Sequence, residues 1–448
     1  MLPLRQAALL RGGQVVTMDR RRRVFEGDLL LAGGRIAALG PRLRTPRGAR
    51  VVDCRGKAVL PGLVQAHVHL CQVLLRNRAD GLELLDWLRR RIWPMEAAHD
   101  ARSLRFSARL GIAELLLGGT TAVLDMATVQ HTEQVFLAAE ESGLRYTGGK
   151  ALMDQGAGLP AGLRDSTDGA LAEALALARR WHGAAEGRLG YALCPRFVLS
   201  CSEPLLRRVA ELSRSQGWIV HTHASENPLE TRLVRKIVGD DNAAYFHQLG
   251  LHGPRVVLAH CVHLTEREEK LMARAGTHAV HCPGANLKLG SGIAPLPRLR
   301  RRGVPLALGG DGAPCNNTLD AFHEMRLAAT LHLPRFGPRS VPAVEVLEMA
   351  TLGGARALGL GDEIGSLEPD KKADVTVVDL ERPHLSPRGA DLHATLVYGA
   401  RASDVTDVWV DGRRLVAGGT LRTLDAAALV AAAPAEQARL LRRARLKA

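Results

Sequence analysis

No apolar run in this chain approaches the ~18 residues that a transmembrane helix needs, so no membrane span is expected. The opening residues, MLPLRQAALLRGG, lack both a long apolar core and a small-residue cleavage site, which argues against a signal peptide. Cysteine is sparse and scattered, at Cys54, Cys71, Cys194, Cys201, Cys261, Cys282 and Cys315, with no C-x-x-C pair. The odd count and irregular spacing argue against a disulfide framework and against a zinc knuckle, and make a reducing cytoplasm the expected compartment. A solenoid-type repeat is also missing, as is a long disordered linker. Aromatics are absent from the two densest basic clusters, DRRRR at 19–23 and RLRRR at 298–302. A formal charge of +14 raises the question of a nucleic-acid partner. Short basic runs without interleaved aromatics instead fit arginines spread over solvated faces. Salt-sensitive nucleic-acid binding without a metal would be the opposite outcome.

The chain is long enough for a large barrel and a smaller module. Its first residues read as short strands separated by turns, as in GGQVVTMD, GDLLLAGGRIAALG and ARVVDCRGKAVLPG. KADVTVVDL and SDVTDVWVDGRRLVAGG near the other end have the same texture, so both termini are candidates for one β module. Between them, eight β-rich runs alternate with helical patterns: AVLPGLVQAHVH, GTTAVLDM, LRYTGGKALMD, LGYALCPRF, GWIVHTHASE, RVVLAHCVH, THAVHCP and VPLALGGDG. That alternation predicts a parallel (β/α)8 barrel of the TIM type. The expected organisation is a β-sandwich module from residues 1–59 and 363–425, a barrel over 60–362, and a helical tail with a proline break over 426–448.

Polar residues cluster where each run ends, and barrel enzymes place their chemistry at the C-terminal ends of strands. His67 and His69 stand at positions i and i+2 of the first run, so both imidazoles face one side of a strand. HTHASE closes the fifth run with His221, His223 and Glu226. LAHCVH closes the sixth with His260 and His263, and GGDGAPCNN closes the eighth with Asp311. Imidazoles and a carboxylate around an open position suit Zn2+, with Fe2+ or Mn2+ also fitting. Bound zinc lowers the pKa of its water from 15.7 to about 7 and supplies a hydroxide nucleophile at neutral pH. Asp311 and Glu226 are the candidates for taking the water's proton and for delivering one to a substrate nitrogen. His260 is placed to hydrogen-bond the attacking oxygen.

Taken together, PGLVQAHVHL, HTHASE, LAHCVHLTE, NLKLGSGIAP and DGAPCNNTLDAFHEMRLAA resemble the amidohydrolase superfamily, in its branch of mononuclear aminohydrolases acting on purines and triazines. The resemblance covers nearly the whole chain. It implies a (β/α)8 barrel with a β-sandwich from both termini, one divalent metal on His67, His69, His223 and Asp311, Glu226 as proton shuttle, and His260 beside the metal.

LLRNRADGLELLDWLRRRIWPME resembles the matching segment of deaminases of S-adenosylhomocysteine, methylthioadenosine and 5'-deoxyadenosine. By that resemblance Trp87 packs against the nucleoside, Glu96 accepts from the ribose hydroxyls, and Lys150 contacts the substrate tail. Two residues depart from that subgroup. Gln72, and Arg196 with Phe197 in CPRFVLSCS, resemble guanine deaminases, where such residues hold an oxo-purine edge and stack on the ring. An arginine offers donors only, which suit either an adenine ring nitrogen or a carbonyl oxygen. The expectation is a cytoplasmic deaminase of an adenosine derivative, forming a homo-oligomer and acting on a small purine nucleoside. A guanine-like or aminotriazine aminohydrolase is the alternative. A cyclic-amide hydrolase with two metals bridged by carbamylated Lys150 is a more distant one.

Overall fold

The computed structural model describes Leu2 and residues 5–446. Its centre is a parallel barrel of eight strands: β1 (Leu63–His69), β2 (Thr120–Met126), β3 (Arg145–Gly149), β4 (Leu189–Pro195), β5 (Ile219–Ala224), β6 (Val256–His260), β7 (His278–His281) and β8 (Leu306–Leu308, resuming at Asp311–Gly312). Every residue of β1 and β2 is buried, as expected of parallel strands covered on both faces.

The last strand closes the ring by serving two neighbours in turn. Leu306–Leu308 pairs with β7, and Asp311–Gly312 pairs with β1, placing Asp311 opposite Val68 and Gly312 opposite His69. The switch occurs at Gly309 and Gly310. A Cβ on Gly309 would stand 2.6 Å from the His67 carbonyl oxygen, and one on Gly310 would stand 2.6 Å from Gln65 Oε1. Only glycine lets the eighth strand approach the first this closely. Gln65 then fastens the junction, accepting from Gly310 N at 2.9 Å and donating to Leu319 O at 2.7 Å.

The two termini build one nine-stranded mixed sheet. The halves meet where Lys57–Pro61 pairs antiparallel with Val375–Asp379. Leu10, Val15, Leu31, Ile36, Val59, Val377 and Trp409 form a core belonging to this sheet. The module sits at the N-terminal ends of the barrel strands. There Arg145, the first residue of β3, forks onto Asp374 with contacts of 2.7 and 2.9 Å.

The tail is a helix over Ala426–Arg443 that runs on through Pro434, where the sequence predicted a break. Its buried Leu429, Leu440 and Leu441 anchor it, and Leu440 and Leu441 join the hydrophobic cluster containing Trp87 and Trp93. Packing of this apolar face offsets the backbone donor that proline lacks. No helix among the described residues is long and apolar enough to cross a membrane.

Candidate metal centre and active site

Four imidazoles from three different strand ends converge on Asp311, and each is held by its outer nitrogen. His67 Nδ1 lies 2.7 Å from His221 Nε2. His69 Nδ1 donates to the Met126 carbonyl at 2.8 Å, and His223 Nδ1 donates to the Arg196 carbonyl at 2.6 Å. His260 Nδ1 lies 2.9 Å from Asn286 Oδ1. Bonds of this kind fix the tautomer and ring orientation of metal-ligating histidines, leaving Nε2 to face the ion.

The inner nitrogens do face one point. His67 Nε2 and His69 Nε2 lie 3.3 and 3.4 Å from Asp311 Oδ1, and His260 Nε2 lies 3.8 Å from Asp311 Oδ2. His69 Nε2 and His223 Nε2 are 3.2 Å apart. Both rings give their only proton to a carbonyl through Nδ1, so this short approach brings two lone pairs together. That arrangement is repulsive unless a cation sits between them. The Nε2 atoms of His67 and His260 are buried without a hydrogen-bond partner. Burial pushes His67 down to about 4 and holds His69 and His223 below the usual imidazole range, which keeps them neutral and able to bind a metal. Burial alone would raise Asp311, but His67, His260 and His69 hold its carboxylate well below the usual range. The donor set fits a divalent cation.

Glu226 stands across from the ring, its Oε2 3.5 Å from His260 Nε2. Burial, with Asp311 adding to it against His260, pushes this carboxyl up to about 7. A group at that value both gives and takes a proton near neutral pH. The loops that carry these residues are strained: Ser225, His260, Cys261 and Asp311 all adopt left-handed φ values between 51° and 72°. His263 points away, its Nε2 2.7 Å from the Ser291 carbonyl.

A small pocket of about 30 Å3 opens onto the centre, floored by His69, His223, Glu226, His260 and Asp311. Its apolar wall comes from Leu84, Trp87, Leu88 and Phe197, and its remaining polar residues are Gln72 and Arg196. Trp87 and Phe197 thus both line the pocket.

Two substrate-contact expectations need correction. Glu96 does not present a free carboxylate. It is buried and accepts from Arg196 Nη1 at 2.6 Å, from Arg196 Nη2 at 3.2 Å and from Gln72 Nε2 at 2.8 Å. Burial would raise its pKa, but Arg196 outweighs that and keeps the carboxyl ionised. The two residues that depart from the nucleoside deaminases therefore grip the residue that resembles them. Lys150 is not at the pocket: it is fully buried, with Nζ 2.7 Å from Asp165 Oδ2 and bonded to Glu173. Two carboxylates hold its charge, so it has none to offer a substrate tail and no route to bridging two metals.

Other supports were not legible as site residues. Asp125, at the end of β2, accepts from Leu70 N at 2.8 Å, the residue after His69, and from the Tyr146 hydroxyl at 2.8 Å. Glu324 accepts from Gly284 N and Asn316 Nδ2, tying together the loops after β7 and β8. A lone acid at a strand end or on a helix carries no spacing signal. Asn286, in the helix after β7, braces His260 itself.

The model of the amidohydrolase family matches residues 58–415. The chain belongs to that family. A relative named 5-methylthioadenosine/S-adenosylhomocysteine deaminase, from Moorella thermoacetica, is 40% identical over 407 residues, 90% of this chain and 92% of its own. The crystal structure of an adenosine deaminase from Xanthomonas campestris with bound zinc superposes with a TM-score of 0.91 at 35% identity, covering 97% of this chain and 98% of that one. Guanine deaminase from E. coli superposes with a TM-score of 0.83 at 30% identity, covering 92% and 99%.

Proposed function

We propose that this amidohydrolase is a metal-dependent deaminase that removes the amine of an adenosine derivative, such as 5'-deoxyadenosine, methylthioadenosine or S-adenosylhomocysteine, as ammonia. The observation that carries the reaction type is the pair of facing lone pairs on His69 and His223, set beside a buried Glu226 that titrates near neutrality. The substrate class is supported by the names of relatives at 36–40% identity over most of the chain. His67, His69, His223 and Asp311 would hold a single ion, zinc by its donor set and by the zinc in the adenosine deaminase structure. When bound, the ion supplies a water acidic enough to act as a nucleophile near neutral pH.

The chain's own groups do the rest. Trp87 and Phe197 clamp the flat ring and keep bulk water from it. Glu226, protonated, gives its proton to the ring nitrogen beside the amine-bearing carbon, making that carbon more electrophilic. His260, with Nδ1–H given to Asn286, accepts from the attacking water through Nε2 and orients it. The water's first proton returns to Glu226, replacing the one given to the ring, and Asp311 takes the second and passes it to the departing amine. The seven cysteines are all unpaired, in keeping with a reducing cytoplasm.

A second reading has its own observation. Gln72 and Arg196, the two residues that resemble guanine deaminases, both line the pocket beside Phe197 and are tied together through Glu96. That pairing suits a ring with an N–H beside a carbonyl, as in a guanine-like base. Ammonia release from the metal-loaded protein across adenosine derivatives, guanine, cytosine and an aminotriazine separates the readings. Turnover of the adenosine derivatives is expected. Turnover of guanine or the triazine alone would replace the first reading with the second. A Glu96→Ala variant sharpens the result: loss confined to nucleosides supports ribose binding, whereas loss on guanine as well marks Glu96 as the holder of Arg196 and Gln72.

A further inference from the structure

Behind Glu226 lies a second buried carboxyl with no role in the reaction. Glu230 occupies the first turn of the helix Pro228–Val238 and is 2% exposed. It is not that helix's cap, since Asn227 Oδ1 already accepts from Leu229 N at 2.9 Å. No ion pair reaches it among the described residues. Its Oε2 instead accepts the backbone N–H of Glu226 at 3.1 Å. The Asn227 backbone N–H and the side-chain amide of Asn242 also lie against this carboxyl. Burying an acid without a counter-charge is costly, and an apolar residue would pack there more cheaply.

What the bond holds is the turn that aims Glu226. Ser225, just before it, is left-handed with φ 53°. On one side of this strained turn the Ser225 carbonyl accepts from Val262 N at 3.0 Å and His263 N at 2.8 Å, locking it to the loop after β6. On the other side the Glu226 N–H has Glu230. We propose that Glu230 is a positioning residue for Glu226: by accepting its backbone N–H it holds the left-handed Ser225 turn and points the Glu226 carboxyl at His260 and the metal side of the pocket. The proposal rests on the reading of Glu226 as the proton carrier. Burial, reinforced by Glu226, pushes Glu230 up to about 8, so near neutral pH it holds the turn as a neutral acceptor.

A neutral acceptor is reproduced by glutamine, which keeps an oxygen for Glu226 N–H and offers an NH2 to the neighbouring Asn242 amide. Aspartate keeps the acid, and any favourable contact with the helix dipole, but falls short by one carbon–carbon bond, about 1.5 Å. The test compares Glu230→Gln with Glu230→Asp in the full-length, metal-loaded protein. One readout is hydrogen exchange at the Glu226 amide, followed in a peptide spanning 224–230, and it needs no substrate. The other is kcat and KM for ammonia release from methylthioadenosine.

The glutamine variant should retain the protection and the kcat of the parent. The aspartate variant should lose protection and fall about 10- to 100-fold in kcat with KM little changed, the size expected for misplacing a reacting group by about 1 Å. The proposal is overturned if aspartate matches the parent, if glutamine falls as far as aspartate, or if exchange at Glu226 is the same in both. Glu226→Gln serves as the control. If it keeps the parent kcat, the reading of Glu226 fails. If it is inactive while aspartate at 230 behaves as the parent, only the proposal for Glu230 fails.

Discussion

The barrel carries a buried charge cluster at each end, and the two are built on opposite terms. At the N-terminal end, Arg145 and Asp374 are 4% and 1% exposed and meet in a two-pronged ion pair, with Asp411 and Arg5 joined at its edge. At the mouth, His67 and Asp311 are 0% and 6% exposed, yet the facing lone pairs of His69 and His223 have no proton between them. Burial is the same; pairing is not. A buried cluster whose charges are matched by its own side chains is structural, whereas one left unmatched is shaped for something that the chain does not supply.

The comparison breaks first, and by the largest effect, at Asp311. Asp311→Asn should lower kcat/KM by about 10^3-fold or more, near 4 kcal/mol of barrier, and reduce bound metal measured by elemental analysis. Retained activity with full metal content would remove the distinction between the two ends. The matched cluster should fail in the opposite way. Arg145→Ala leaves Asp374 buried and alone, which should cost about 3–5 kcal/mol in chemical denaturation, with kcat per folded molecule unchanged. A smaller effect tests the outer ties of the mouth: Asn286→Ala should reduce kcat by about 10- to 100-fold by freeing the His260 ring, without altering the fold seen by circular dichroism.

A separate effect is in pH. Glu230 sits near 8 in the folded chain and near the ordinary carboxyl value when unfolded, so the folded state binds more protons between those values. Stability from this group is fully present below the unfolded value and is lost as pH rises through about 8. Glu230→Gln should therefore match the parent's melting temperature at pH 5 and exceed it above pH 8, in thermal scans of the metal-free protein.

Much of the mouth was legible because its signals are local. His67 and His69 share a strand face by their i, i+2 spacing, and His223, His260 and Asp311 each end an apolar run. Strand ends are where a barrel gathers chemistry, so position alone brought these residues together. The base-facing side was not legible. Arg196 and Glu96 are 100 residues apart, and nothing local marks them as a pair. Lys150 ends a strand as the ligands do, but its partners Asp165 and Glu173 lie on a later loop and helix that turn it outward. Periodicity tells which face a residue occupies and near which end. It does not tell which distant side chain meets it, and the choice between substrates depends on such meetings.

The glycine pair at 309 and 310 makes ring closure and completion of the metal centre a single event. Asp311 meets His67 and His69 only when the last strand docks on the first, across a junction whose Gln65–Gly310 bond joins residues 245 positions apart. A contact of such long range carries a large loop-closure entropy and forms late. A cation gripping both sides of that seam would act as a clasp on the finished barrel, and its uptake would time the moment at which the chain closes.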